Sequence, residues 1–124
     1  MKFNIGGKER GVQFGMGAIQ IYCDEMDCDV EGLNYIMGGK KQFKAISAII
    51  YAGLSNYCGL NDEVVDFDAL KVSSWIDELP QEDYNSIMEH FKLSKVFGKS
   101  IQDHFNAVNE VEDEPVKGKK KASQ

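Results

Sequence analysis

From Lys2 to Phe14, apolar and polar positions alternate in two short runs. Phe3 and Ile5 alternate with Lys2 and Asn4, and Val12 and Phe14 with Gly11 and Gln13. Alternation with a period of two marks half-buried strands, so the pattern predicts an antiparallel β-hairpin. A four-residue loop of Gly6-Gly7-Lys8-Glu9 would set Ile5 opposite Arg10, Phe3 opposite Val12 and Met1 opposite Phe14. That register gathers apolar side chains on one face. A two-residue Gly6-Gly7 turn would set Phe3 opposite Arg10, a poorer pairing by the same criterion. Either turn uses the positive φ that glycine adopts without steric cost.

After Phe14 the period changes to about 3.6, the repeat of a helix. Met16, Ile19, Cys23 and Met26 mark one face of a first helix, from about Gly15 to Met26. Asp29 is placed to cap a short second helix with Val30, Leu33, Ile36 and Met37, which Gly38-Gly39 would stop. Phe43, Ile46, Ile50, Gly53, Leu54 and Tyr57 mark a third helix, widened by Ala45 and Ile49 and ended by Gly59. Its broad apolar face makes it the central core helix. Asp66 and Asp68 are candidate N-caps for a fourth, with Leu70, Val72, Trp75, Ile76 and Leu79 facing inward. Pro80 ends that helix or opens a fifth, traced by Tyr84, Ile87, Met88 and Phe91. Phe97, Ile101, Phe105 and Val108 continue at helical spacing after an adjustment near Gly98. Trp75, the single tryptophan, is expected in the core. The fold class is therefore mainly α: an N-terminal β-hairpin leads into a compact bundle of about five helices. One globular domain is expected over residues 1–109 and a disordered charged tail over 110–124, where periodicity stops.

Composition narrows the classes of function. The chain has 124 residues, 43% hydrophobic and 27% charged, enough for one core without staples. No apolar run approaches the roughly 20 residues that span a bilayer, and the N-terminus reads as a strand and not a signal peptide. No membrane partner is expected. The formal charge is −6, and lysines cluster only near the C-terminus. Binding to nucleic acid, which needs clustered cations against phosphates, is not expected of the folded part. Cys23, Cys28 and Cys58 are odd in number and read as reduced, small buried hydrophobes.

Each chemistry-bearing motif that begins in the chain lacks a required residue. Gly6 and Gly11 have the separation of a phosphate-binding P-loop, but Val12 and Gln13 replace its Lys and hydroxyl. Gly15-Met16-Gly17 begins a dinucleotide fingerprint, but Gln20 stands at the third glycine. Cys23 and Cys28 have the spacing of half a zinc site, and no second ligand pair follows. Asn61-Asp62-Glu63 lacks the glycine and spacing of a calcium loop. The acidic pairs fall at helix ends and in loops, where charge is solvated. No metal, nucleotide or other cofactor is expected. His90 and His104 are the two histidines, and no nucleophile is paired with either in sequence. An enzyme reading would assemble a site from His90, Cys58 and an acid.

The order of features points to a family. FNIGGKERGVQFGMGAIQIYCDEM joins a hairpin, an aromatic-Gly-x-Gly step and an amphipathic helix. AISAIIYAGLSNYCGLN, VSSWIDEL and a last helix ending near FKLSKVFG follow. Together these resemble small tail assembly chaperones of long-tailed bacteriophages, in outline from Phe3 to Gly98, with FGMGAI, IIYAGL and W-I-D the most telling pieces. The resemblance implies a non-enzymatic protein of the host cell cytoplasm, absent from the mature virion. It implies two partners. One is the tape measure protein, a long helical chain kept soluble before assembly. The other is the tail tube protein, reached through a longer, frameshifted product. Consecutive codons for Lys119-Lys120-Lys121 can form the A-rich run on which such a frameshift occurs. Phe97, Ile101 and Phe105 are the candidate partner-binding stripe. The alternatives are a small cytosolic enzyme and a minor tail structural or connector protein. No oligomeric state follows from the pattern.

Overall fold

The computed structural model of the chain describes residues 1–106; the expected tail over 110–124 lies outside them. By internal packing the chain divides into two compact units, Met1–Phe91 and a second that begins at Lys92. The described residues are mainly helical, with a two-stranded hairpin at the N-terminus.

In the first unit, β1 (Lys2–Ile5) and β2 (Lys8–Gly11) form the hairpin. Its register corrects the expected one: Ile5 faces Lys8, Asn4 faces Glu9, Phe3 faces Arg10 and Lys2 faces Gly11. The loop is the two-residue turn Gly6-Gly7, with φ of +64° and +86°. Two successive positive φ angles give a turn whose twist matches the right-handed twist of the strands. Arg10 does not spoil this pairing, because its side chain is held in the structure and only 9% exposed. Met1 and Val12 extend the ladder by one bond of 2.9 Å. Val12 and Phe14 then leave the ribbon and enter the core. The Gln13 N–H donates to the Gly53 carbonyl at 3.1 Å, which pins this segment to the central helix.

That helix is α2 (Gln42–Leu60), and it is buried along most of its length. Its inward residues include Ala45, Ala48, Ala52 and Gly53 as well as Ile49, Ile50 and Leu54. Small residues let neighbours approach closely. A Cβ on Gly53 would lie 2.6 Å from the Phe14 ring and 2.9 Å from Val12. Phe43, expected on the core face, is 84% exposed, because it lies in the first turn ahead of the buried stretch. Gly59 does not end the helix; it lies one residue inside, and the Asn61 N–H closes the last turn on Tyr57.

α1 (Met16–Met26) packs along α2. Its buried face is Ala18, Ile19, Tyr22 and Met26, rotated from the expected one. Tyr22 takes the core position assigned to Cys23, and Met16 is exposed. A buried phenol needs a partner for its hydroxyl, and the Tyr22 hydroxyl donates to the Gly32 carbonyl at 2.6 Å. α1 ends at Asp27, which has φ +53°, with the Cys28 N–H returning to the Cys23 carbonyl at 3.1 Å.

The expected second helix is a 3₁₀ segment, Val30–Met37, and Asp29 makes no side-chain cap bond. Val30, Leu33 and Ile36 recur every three residues, the 3₁₀ period. Leu33 and Ile36 are buried, while Val30 and Met37 are exposed.

α3 (Ala69–Ile76) is capped by Asp68, which accepts from the Lys71 N–H at 2.8 Å. Only Val72 of this helix is fully buried. Leu70 is exposed, and Trp75, expected in the core, is half-buried. α4 (Gln81–Leu93) follows Pro80, whose carbonyl accepts from the Tyr84 N–H, so the proline opens this helix. Ile87 and Phe91 are its buried residues.

The second unit differs from the expected helical continuation. β3 (Lys95–Val96) and β4 (Lys99–Ser100) form a short hairpin. Its turn, Phe97-Gly98, has φ of +54° and +79°, again two positive angles in succession. Residues 101–106 are helical, and the Ser100 hydroxyl caps them by accepting from the Asp103 N–H at 3.1 Å. His104 Nε2–H donates to the Val96 carbonyl at 2.7 Å, which fixes the tautomer of the ring. Val108, expected to continue the helical spacing, lies outside the described residues.

Two glycines of α2 separate packing from propensity. Gly53→Ala should lower stability by about 1–3 kcal/mol, because its new methyl overlaps Phe14 and Val12. Gly59→Ala meets nothing within 4 Å and should raise stability by about 0.5–1 kcal/mol. Urea unfolding of both variants, read as the shift in midpoint at constant m, checks the opposite signs.

Candidate functional site

β2 directs Arg10 onto the half-buried Trp75 of α3. The guanidinium lies 4.4 Å from that ring and 5.5 Å from the Phe67 ring. Its Nε–H donates to the Ile5 carbonyl at 2.7 Å, and Nη1 donates to Asp66 at 2.6 Å. Lys8 adds an ion pair to Asp66 at 3.2 Å. The hydrogen bond from Arg10, followed by that from Lys8, holds the Asp66 carboxyl down at about 2. Phe67 stands edge-on to Trp75 and to Tyr51, both at 6.0 Å. Asp66 was expected as a cap; it instead ties the loop before α3 to the hairpin.

Beside this cluster is a cavity of about 90 Å³, bordered by Arg10, Leu54, Cys58, Glu63 and Phe67. The Cys58 S–H points to the Val64 carbonyl at 4.0 Å. Burial, then the nearby Glu63 carboxylate, pushes its thiol up, so the nucleophilic thiolate is disfavoured. His90 has other neighbours. Its ring lies 5.6 Å from Phe14, and burial pulls its imidazole below the usual range, while a bond with the Val12 backbone opposes that shift. Burial thus shifts both Cys58 and His90 toward their neutral forms.

Cys23 and Cys28 do meet. Burial, followed by the Cys28 thiol, raises the Cys23 thiol to about 11. All three cysteines are free thiols. Among the described residues, no group of three or more His, Cys, Asp or Glu side chains could hold a metal ion. No helix of the described residues is long and apolar enough to cross a membrane.

Phe97, Ile101 and Phe105 do not form one stripe. Phe97 sits at the tip of the second hairpin and is 87% exposed, Ile101 is 3% exposed, and Phe105 is half-buried. The backbone reversal at Gly98 separates Phe97 from the helical pair. Phe43 is the other fully presented aromatic residue, and the helical period alone assigned it to the core. The signal that identifies it is local: Lys40, Lys41 and Lys44 surround it, and a core turn does not carry three cations in five residues. Lys41 lies over the Tyr35 ring at 5.1 Å.

No protein family matches the chain, and neither does any curated protein or solved structure.

The Asp66 cluster has a definite pH signature. Its carboxyl is lowered from 3.8 to about 2, so its contribution is full above pH 3.8 and fades as pH falls towards 2. Asp66→Asn should lower the melting temperature at pH 7 and narrow its gap to wild type between pH 4 and pH 2. Melting curves across that range, with NMR titration of the carboxyl, check both halves.

Proposed function

We propose that the chain is a tail assembly chaperone of a long-tailed bacteriophage. It binds the tape measure protein, holds it soluble, and promotes polymerisation of the tail tube around it without entering the virion. The observation that carries this reading is the presentation of Phe43 and Phe97, 84% and 87% exposed, on a chain of net charge −6. Aromatic residues are enriched at the cores of contact surfaces, and net charge keeps such a chain dispersed. An apolar stripe on a helical partner is the matching chemistry. The order of hairpin, glycine step and helices that carries the resemblance supports the same reading. A non-catalytic role fits Cys58 and His90, each shifted by burial toward its neutral form.

The contact is narrower than the three-residue stripe, because Ile101 is buried and its replacement would disturb the fold. Phe97 and Phe43 are the residues to change. Tail tube recruitment falls to a frameshifted product extended near Lys119-Lys120-Lys121. The work takes place in the host cytoplasm.

Co-expression with the long helical tape measure protein encoded nearby should yield a soluble complex. Phe43→Ser with Phe97→Ser should weaken it about 10- to 100-fold, the loss of one or two buried aromatic contacts, with the melting temperature nearly unchanged. An insoluble tape measure protein and no recoverable complex would remove the chaperone reading. Mass spectrometry of the gene products tests the frameshift separately.

A further inference from the structure

A second cavity, of about 300 Å³, opens between the first hairpin and the C-terminal end of α3. Ile5, Trp75 and Leu79 give it apolar walls, and Asn4, Ser74 and Glu78 give it polar ones. Its size is at the lower end of ligand sites and suits one long side chain.

The strand beside it is open. In a two-residue hairpin the residues flanking the turn exchange both bonds, so Ile5–Lys8 and Phe3–Arg10 are the bonded pairs. The Met1–Val12 bond continues that alternation. Lys2 and Asn4 therefore turn their N–H and C=O groups away from β2. Among the described residues, β1 has no strand on its other side. A free edge of this kind pairs with an extended chain.

Among the residues lining the cavity, Glu78 carries the one charge. The last turn of α3 contains no basic residue, and Asp77 and Glu78 follow directly at its end. A helix C-terminus carries partial negative charge and favours a cation; here two acids add to it. Three successive turns hold them there, from Asp77 to Ser74, Glu78 to Trp75 and Leu79 to Ile76. The hairpin's own cations already have partners: Lys8 and Arg10 pair with Asp66, Arg10 also lies over the Trp75 ring at 4.4 Å, and Lys2 lies over the Tyr57 ring at 5.9 Å.

We propose that the outer edge of β1 and this cavity bind an extended, basic segment of a partner polypeptide. The segment adds as a third strand, bonding to the main chain of Asn4 and Lys2. One Arg or Lys side chain enters the cavity, its stem along Ile5 and Leu79 and its head between Trp75 and Glu78. Main-chain pairing supplies affinity and the side-chain pocket supplies selectivity. This site is independent of Phe43 and Phe97, and it holds whether or not the partner is a tape measure protein.

Trp75 is the only tryptophan, so its emission reports the site directly in the full chain. The probe is a blocked nine-residue peptide that alternates Thr and Val around a central Arg. It should shift Trp75 emission saturably, with half-saturation below about 1 mM. Replacing its Arg by Glu should abolish the shift. N-methylating the peptide amides that face Asn4 should weaken binding about tenfold. Glu78→Gln should weaken it about fivefold. Asn4→Pro removes the outward N–H on an edge strand, where proline is tolerated, and should block binding; the peptide variants carry the test if that hairpin fails to form. Equal binding of the Arg and Glu peptides, no loss on N-methylation, or no saturable shift would overturn the proposal. So would sedimentation showing that the edge is occupied by a second copy of the chain, or equal binding by a helical basic peptide.

Discussion

The Arg10 guanidinium fastens the hairpin to the loop before α3 and to α3 itself, 56 and 65 residues further along the chain. It lies over Trp75, donates to the Ile5 carbonyl and meets Asp66. A two-stranded ribbon alone is at best marginal in water, so the hairpin depends on what it is fastened to. One end is held by the Gln13–Gly53 bond and by Val12 and Phe14 in the core. The other is held by Arg10. Its stem and planar head bury against rings, while its charge is matched by a half-exposed carboxylate. The position of α3 follows from the same contacts, since Val72 is its only fully buried residue.

This fastening explains why apolar pairing alone predicts a different hairpin register. By apolar character alone, Arg10 opposite Phe3 disfavours the two-residue turn. A guanidinium stacked on tryptophan behaves as an apolar surface with a polar rim, and that depends on Trp75, 65 residues further along the chain. The change from period two to a helical period was legible, and so were four of the helices, because each rests on local spacing. The Asp68 cap was legible as one of two candidates, since capping acts within three residues.

The misplacements have related causes. Cys23 and Tyr22 are neighbours, and spacing alone favoured the cysteine; the Gly32 carbonyl that satisfies the tyrosine hydroxyl decided for Tyr22. Phe97 and Ile101 stand four apart, which looks helical, but Gly98 permits the positive-φ turn between them. Phe43 and Leu70 carry the right residue type in the first turns of their helices, where nothing packs on them. Of the candidate contact residues, Phe97 alone is fully presented. The Arg10 cluster and the cavity at α3 are visible only in three dimensions, whereas the lysines around Phe43 mark it in the sequence.

The small residues of α2 have a dynamic consequence. Ala45, Ala48, Ala52 and Gly53 bring neighbouring backbones close around the middle of this helix, which is buried along that stretch. Amides there exchange with solvent only when the whole unit opens. The 3₁₀ segment has the poorer hydrogen-bond geometry of its type, and the 61–68 loop is exposed at every residue but Phe67, so these two are the first to loosen. The molecule therefore has a slow-exchanging axis and two faster flanks. A partner that grips a flank would be read as protection spreading outward from α2.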